Sequence, residues 1–233
     1  SLLSQKHEVS ILTFLENTEE IKYVAALKTF CKNVIYMVRR QSLKEPDYFH
    51  IIPNVVVKEF CQPEMKAALV NEVYSGKYDI VQFEYLQMSY LVRSVKNLGV
   101  PVLWVNHEVQ HAALWREFKV QKILSLKKIE LFFRWMVMLS FELYTAKKFN
   151  HSITVTEDDN NELRKYLPKL PTSIIPLGVD LELTRSYKLA NVAPHSLIYT
   201  GYFLHSPNVD AVKYFVRDIL PKIKNEIPDV KFY

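Results

Sequence analysis

Residues 196–233 read SLIYTGYFLHSPNVDAVKYFVRDILPKIKNEIPDVKFY, which is an apolar run, a helix-like segment and a second apolar run. The pattern predicts a strand over Leu197–Gly201, a helix over Pro207–Glu226 with proline in its first turn, and a strand over Val230–Tyr233. Two such strands joined by a helix form a βαβ unit. Because Tyr233 has the character of a strand interior, we expect a larger α/β protein to complete this sheet.

The same alternation runs through the rest of the chain. Apolar, β-branched and aromatic runs predict strands at Glu8–Phe14, Val34–Val38, Asp79–Glu84, Val100–Asn106, Ser152–Thr156 and Ser173–Pro176. Helical patterns lie between them, at Thr18–Phe30, Pro63–Tyr74, Gln87–Asn97, Trp115–Phe149 and Glu157–Tyr166. Strands that alternate with helices are typical of βαβ crossovers, so the sequence predicts an α/β fold with a doubly wound, mostly parallel sheet.

A domain boundary is predicted where prolines and Gly178 cluster among short segments, between Lys169 and Ala193. We therefore expect one domain over residues 1–177 and a second over residues 178–233. A single βαβ unit cannot enclose a core by itself. The second segment is thus either the opening of a larger domain or a unit that packs on the first.

Composition predicts a globular protein of a reducing compartment. The 233 residues are 49% hydrophobic, which is enough to bury a sizeable core and excludes a disordered chain. Two cysteines, Cys31 and Cys61, are too few for a disulfide scaffold, and no apolar leader precedes His7. A cytoplasmic location is therefore expected, although a chain that starts at Ser1 leaves a removed leader open.

The net charge of +5 is concentrated in residues 116–148, which contain eight basic residues and three acidic ones. Such a stretch favours an anionic surface over sequence-specific nucleic-acid binding, for which no helix-turn-helix or zinc-finger signature is present. One interpretation is a long buried helix with a solvated face, in which Arg134 and Glu142 serve helix packing and ion pairing. The other is an interfacial helix whose aromatic residues enter the headgroup layer at the inner face of a membrane while its lysines meet anionic lipid. Those aromatic residues are Trp115, Phe132, Phe133 and Trp135.

Six segments in order resemble a known family. They are HEVSILTF (7–14), YDIVQFEYLQM (78–88), VPVLWVNHEV (100–109), ELYTAKKF with NHSITVTEDDNNEL (142–163), IIPLGVDLE (174–182) and LIYTGYFLHSPNVDAVKYFVRDILPKI (197–223). Their order and spacing are similar to those of the retaining glycosyltransferases of family 4. The resemblance implies two facing Rossmann-like domains, the GT-B fold. It also implies transfer of a sugar from a nucleotide-diphosphate donor to a glycan or lipid-linked acceptor, with retention and without a metal or other cofactor.

The resemblance also implies a role for each of the two predicted domains. Residues 1–177 would be the acceptor-side domain without its first strand, and residues 178–233 the linker and first βαβ unit of the donor domain. Family members also have a glycine-rich loop near the first strand and a pair of glutamates after the second domain's early strands. Neither is found in these 233 residues, which hold only four glycines. We therefore expect this polypeptide alone to be inactive.

The candidate site residues are chosen in two ways, by their position after predicted strands and by the family resemblance. Ligands of open α/β sheets lie beyond the carboxyl ends of the strands, and an acid such as Glu84 after a buried strand requires a partner or a solvated cleft. By resemblance, His107 is the catalytic residue that contacts the donor sugar near its reacting carbon; the alternative is a histidine that caps a strand end by bonding to backbone. The remaining assignments are acceptor binding for Glu84, Tyr85 and Glu108, donor binding for Gly201, Tyr202, His205 and Asn208, and a hinge at Gly178 and Asp180. For Asp180 an Asx-turn is an equal alternative.

Two departures leave other functions open. Many relatives place an arginine or lysine just after the glycine that corresponds to Gly201, whereas residues 202–205 here are Tyr, Phe, Leu and His. A non-catalytic module that binds a glycan or a protein partner is therefore an alternative. Residues 107–111, HEVQH, also spell the zinc-peptidase motif H-E-x-x-H, with Glu130 as a third ligand. That motif must lie within a helix, while here it follows a predicted strand.

Overall fold

A computed structural model describes residues 2–39, 60, 62–76, 78–179, 181, 193–203 and 206–233. The chain divides into two compact units, Ser1–Leu177 and Gly178–Tyr233. Each unit is an arrangement of parallel strands joined by helices. The predicted α/β class with parallel sheets is confirmed.

The first unit opens with a two-stranded ladder. Strand β1 (Ser10–Leu15) and strand β2 (Asn33–Val38) are parallel, with Ser10 opposite Asn33 and Leu15 opposite Val38. Helix α1 (Ile21–Lys28) connects them. A short turn precedes α1, and there the side chain of Asn17 accepts a hydrogen bond from the Glu19 N–H, as Asn does at helix starts.

A four-stranded parallel ladder follows, in the order β3-β4-β5-β6. Its strands are β3 (Val81–Glu84), β4 (Val102–Asn106), β5 (His151–Thr154) and β6 (Thr172–Ile174). The helices of this region are α2 (Pro63–Gly76), α3 (Tyr85–Ser89), α4 (Val92–Val95), α5 (Gln110–Val120), α6 (Leu126–Ala146) and α7 (Glu157–Tyr166). Because strand order follows chain order, the segments after β3, β4 and β5 meet at one edge of the sheet.

Both ladders pack on one core. Trp104 of β4 is fully buried, and its ring stacks on that of Phe149 with centroids 5.7 Å apart. Met65 from α2 and Leu163 from α7 are buried in the same cluster, while Leu12 of β1 is partly buried against it. Strands covered on both faces are apolar throughout, which explains why their sequences read as continuous runs.

Two predicted helices differ from the structure. The helix expected over Gln87–Asn97 is present as the short helices α3 and α4. The helix expected over Trp115–Phe149 is wrong as a single element, because α5 ends at Val120 and α6 begins at Leu126. The intervening turn contains no glycine or proline. Helix α6 is instead restarted by Ser125, whose hydroxyl accepts a hydrogen bond from the Lys128 N–H.

The second unit is one βαβ arrangement. Strand β7 (Ser196–Leu197) pairs in parallel with β8 (Lys231–Phe232), and the connection contains helices α8 (Ser206–Tyr214) and α9 (Leu220–Glu226). A π-helical turn over Phe215–Ile219 separates the two helices. The continuous helix predicted for this segment is thus interrupted. Pro221 follows the turn and has no N–H for the regular helical bond, which accounts for the local change in pitch.

Candidate active site at the carboxyl edge of the sheet

The carboxyl ends of β3 and β4 bring His107 and Glu84 together. These strands are parallel neighbours with Glu84 opposite Val105, so the residue after β4 emerges beside the end of β3. His107 Nε2 lies 2.8 Å from Glu84 Oε2. Both side chains are open to solvent, with 26% of His107 and 45% of Glu84 exposed. The partner of His107 is therefore a carboxylate, and the alternative of a backbone cap is not what the structure shows.

Tyr85 completes this group, which we call the His107 cluster (Glu84, Tyr85 and His107). Its ring stacks on the imidazole at a centroid distance of 4.1 Å and an interplanar angle of 21°. Tyr85 has a φ of 62°, a left-handed conformation that costs a residue with a Cβ roughly 1–2 kcal/mol. A strained backbone next to a solvent-open polar cluster is a recurrent feature of functional sites.

The His107 cluster can present a directed imidazole to a ligand. The Glu84 carboxylate holds one ring nitrogen and Tyr85 covers one face, which fixes the orientation of the ring. Across the part of the chain that the structure describes, no hydrogen-bond partner is present for His107 Nδ1. That nitrogen is available to contact a polar group such as a sugar hydroxyl.

A second histidine–glutamate pair lies immediately behind this edge. Glu142 of α6 and His111 of α5 are both only 1% exposed, and Glu142 Oε2 lies 2.6 Å from His111 Nδ1. The Glu142 carboxylate also accepts hydrogen bonds from the backbone N–H groups of Gln110 (3.0 Å) and His111 (2.8 Å). A helix start leaves such N–H groups unpaired and favours a negative charge, so Glu142 anchors the first turn of α5.

This anchoring role was missed from the sequence. The expectation of ion pairing for Glu142 and Arg134 is correct, since Arg134 Nη1 lies 3.4 Å from Glu130 Oε1 one helical turn away. The sequence did not show that Glu142 also holds the start of α5, three residues after His107. The signal was available in residues 135–143, WMVMLSFEL, because an acid inside an apolar helical run must be buried with a partner.

Glu108, predicted to bind the acceptor, does not join the His107 cluster. Its carboxylate lies 3.6 Å from Arg116 Nη2 and accepts a hydrogen bond of 3.0 Å from Gln110 Nε2. Arg116 in turn borders a cleft of about 400 Å³ between α5 and α7. That cleft is lined by Ala112, Arg116, Asp158, Asp159, Asn161, Glu162 and Lys165. Apart from Arg116, which belongs to the basic stretch, these residues had no role in the sequence-based predictions, although acids shortly after β5 occupy the same edge of the sheet.

Three candidate donor residues, Gly201, Tyr202 and Asn208, come together at the turn after β7. A Cβ placed on Gly201 would lie 2.9 Å from the ring of Tyr199 and 3.2 Å from Asn208 Nδ2, so a larger residue there would displace these two side chains. Asn208 braces the turn, because its Nδ2 donates to the Tyr202 carbonyl (3.0 Å) and its Oδ1 accepts from the Tyr199 hydroxyl (3.1 Å). Tyr202 itself is 68% exposed.

Some predicted residues lie outside the described ranges. His205 of the donor group and Asp180 of the hinge are among them. Gly178 is described, and a Cβ built on it would meet no atom within 4 Å. Its role as a hinge stays a prediction.

The zinc-peptidase interpretation is wrong. His107 and Glu108 precede α5, which begins at Gln110, so the two histidines of HEVQH do not share a helical face. His111 is held by Glu142, and Glu130 by Arg134. Over the described ranges, no group of three or more His, Cys, Asp or Glu side chains is arranged to hold a metal ion.

Comparison with known proteins identifies the family. The profile of Glycosyltransferase Family 4 matches residues 1–183, which is most of the chain. The protein therefore belongs to glycosyltransferase family 4, and the resemblance to this family is confirmed over the five segments that lie within residues 1–183. No curated protein matches the sequence at a significant level.

Two solved structures are similar at low identity. One is UGT73P12 from Glycyrrhiza uralensis in complex with glycyrrhetinic acid 3-O-monoglucuronide, with 12% identity and a TM-score of 0.45, covering 74% of this chain and 44% of that one. The other is a sucrose-phosphate synthase from Thermosynechococcus elongatus, with 13% identity and a TM-score of 0.40, covering 75% of this chain and 92% of that one. Likenesses this weak carry no argument about function. The chain spans less than half the length of UGT73P12.

Proposed function

We propose that the protein transfers a sugar from a nucleotide-diphosphate donor to a glycan or lipid-linked acceptor, with retention at the reacting carbon. The observation that carries the proposal is the His107 cluster, a directed and solvent-open imidazole at the carboxyl edge of a parallel sheet, in a member of glycosyltransferase family 4. In this proposal residues 1–177 hold the acceptor and residues 178–233 begin the donor domain. The linker around Gly178 and Asp180 serves as the hinge.

In the proposed reaction, the bond between the sugar and the diphosphate breaks before the new bond is complete. The protein's contribution is to hold the departing diphosphate and to stabilise the positive charge that develops on the sugar ring, with no strong protein nucleophile. His107 would contact a hydroxyl of the donor sugar. Glu84 would keep the imidazole directed at that hydroxyl, and Tyr85 and Glu84 would line the acceptor side. No metal or organic cofactor enters this scheme.

The second unit would hold the diphosphate. Gly201 has no side chain to obstruct the approach of its backbone to a ligand, and α8 begins at Ser206, where the first N–H groups of a helix favour an anion. Tyr202, His205 and Asn208 would contact the donor from this loop. Asn208 would do so indirectly, since its amide holds the carbonyl of Tyr202.

The test is turnover of the full-length protein with a panel of nucleotide-diphosphate sugars, followed as release of the nucleoside diphosphate. His107→Ala is expected to lower turnover by about 100-fold or more, the usual effect of losing one preorganised polar contact to the transition state. The matched control is His151→Ala, because His151 lies on the same sheet and hydrogen-bonds Ser173 at 2.9 Å, away from the His107 cluster. Equal turnover of the His107→Ala variant and the parent protein contradicts the proposal.

A glycan-binding module without catalysis is the second candidate. It is favoured by the loop at residues 202–205, which offers no arginine or lysine to a departing diphosphate. Calorimetric titration separates the two functions. Binding of an acceptor glycan without binding of any nucleotide sugar supports the module, whereas binding of a nucleotide sugar supports the transferase.

A further inference from the structure

The turn between α5 and α6 exposes an unusual set of apolar side chains. We call residues 120–126 the hairpin tip. Four of its side chains are among the most exposed apolar groups of the protein: Val120 (80%), Ile123 (85%), Leu124 (99%) and Leu126 (85%). Soluble surfaces carry single exposed apolar residues, but a contiguous group of this kind is typical of an interaction site.

The hairpin does not need these residues to hold itself together. Below the tip, the ring of Trp115 stacks on Phe118 with centroids 4.8 Å apart and packs on Trp135 at 4.6 Å. Phe132 packs on Phe118 at 6.0 Å. This aromatic layer closes the two helices on each other, so the apolar side chains beyond it contribute little to the fold and project on a rigid support.

Lysines surround the tip. Lys119, Lys122, Lys127 and Lys128 lie within residues 118–129, which contain no acidic residue. Lys119, Lys122 and Lys127 are exposed, and Lys127 Nζ lies 3.7 Å from Glu117 Oε1, one residue outside this stretch. Lys128 reaches back to the Gln121 carbonyl at 3.1 Å. Within the described ranges, no helix has the length and apolar character to cross a bilayer.

We propose that the hairpin tip inserts into the headgroup layer of an anionic lipid bilayer. Apolar side chains at the end of a helical hairpin enter the boundary between headgroups and acyl chains, while lysines around them meet lipid phosphates. The charge pattern selects this occupant over a second copy of the chain, because two like-charged tips repel each other. The sequence predicted a membrane contact through residues 116–148, and the proposal restricts the inserting part to the hairpin tip. Trp115 and Trp135 are left out because they pack on each other within the hairpin. The proposal is independent of the transfer reaction.

The experiment is co-sedimentation of the full-length protein with vesicles of phosphatidylcholine, with or without one third phosphatidylglycerol. Binding is expected only to the anionic vesicles. The double variant Ile123→Ser with Leu124→Ser is expected to weaken binding by about tenfold or more. The matched control, Tyr74→Ser with Ile80→Ser, removes two exposed apolar side chains elsewhere on the same unit and is expected to bind like the parent.

A charge variant tests the second half of the proposal. Lys122→Glu with Lys127→Glu is expected to lower binding to the anionic vesicles by more than about 25-fold, from roughly fivefold for each lysine lost. Lys22→Glu with Lys28→Glu changes the net charge equally on the exposed face of α1 and is expected to have a much smaller effect. All of these positions are exposed, so folding is retained, which a circular dichroism spectrum verifies.

Three outcomes overturn the proposal. The first is no binding to either kind of vesicle, and the second is binding that the tip variants leave unchanged. The third is a dimer, seen by light scattering, that the Ile123→Ser with Leu124→Ser variant dissolves while vesicle binding is absent. Nucleotide-sugar turnover with a soluble acceptor is measured separately, so failure here is distinguishable from failure of the proposed transfer activity.

Discussion

The protein contains two histidine–glutamate pairs whose histidines, His107 and His111, are four residues apart in sequence. The two pairs differ in their exposure to solvent. His107 and Glu84 are joined at 2.8 Å and open to solvent, whereas His111 and Glu142 are joined at 2.6 Å and buried. The open pair follows two strand ends and offers a ring nitrogen to a ligand. The buried pair fastens the start of α5. The same side-chain chemistry therefore serves a site in one place and its scaffold in the other.

The largest effect on stability is expected from removing the buried carboxylate of Glu142. Glu142→Ala removes the acceptor of two backbone N–H groups and of the His111 ring, so the free energy of unfolding is expected to fall by about 3–5 kcal/mol. Urea titration measures it. Glu130→Ala, which breaks only an exposed pair with Arg134, is the control and is expected to change stability by less than about 1 kcal/mol. A change of that small size for Glu142→Ala would contradict the scaffold role.

Replacing each of the two histidines by alanine compares the buried pair with the open pair directly. His111→Ala is expected to lower the free energy of unfolding by about 2–4 kcal/mol, because it leaves the Glu142 charge buried with one partner fewer. His107→Ala is expected to change it by less than about 1 kcal/mol, because its pair is solvent-open. Urea titration of both variants, beside their turnover, checks the split. Similar losses of stability in both variants would remove the distinction.

A smaller effect is expected from Glu84→Gln. The amide retains the shape of the side chain and a hydrogen bond to His107, but it removes the negative charge. Turnover is expected to fall by about tenfold, the size of one weakened charge-assisted hydrogen bond, while binding of the nucleotide sugar is unchanged. Steady-state kinetics separates kcat from KM. A change confined to KM would place Glu84 outside the reaction step.

The smallest effect concerns a third pair, His195 with Asp229 in the second unit, whose side chains are both more than half exposed. His195 Nδ1 lies 2.8 Å from the Asp229 carboxylate, and this hydrogen bond lowers the pKa of Asp229 below its ordinary value of 3.8. A lowered folded-state pKa adds stability above the unfolded value, and that stability is lost as the pH falls through the folded value. Carbon-13 titration of the carboxyl group is expected to show the lowered pKa, and His195→Ala to restore it. An unchanged titration in that variant would rule out the pairing.

The ends of strands β2, β3 and β4 were predicted to the residue, whereas β7, predicted over Leu197–Gly201, ends at Leu197. Glu84 and His107 were both selected near the carboxyl ends of predicted strands, and their 2.8 Å contact follows from the register of β3 and β4. The left-handed backbone of Tyr85 was not predictable, since tyrosine has no preference for it. The break between α5 and α6 was missed because the hairpin tip is itself apolar and continues the helical pattern. Exposure, unlike periodicity, depends on what the rest of the chain covers.

In the proposed reaction Glu84 and His107 act as one unit, and a double-mutant cycle on turnover tests this most directly. If Glu84 affects the reaction step only by directing the His107 imidazole, the double variant Glu84→Gln with His107→Ala is expected, at saturating acceptor, to turn over at the rate of His107→Ala alone, within about twofold. Two separate effects that multiply in the double variant would contradict it.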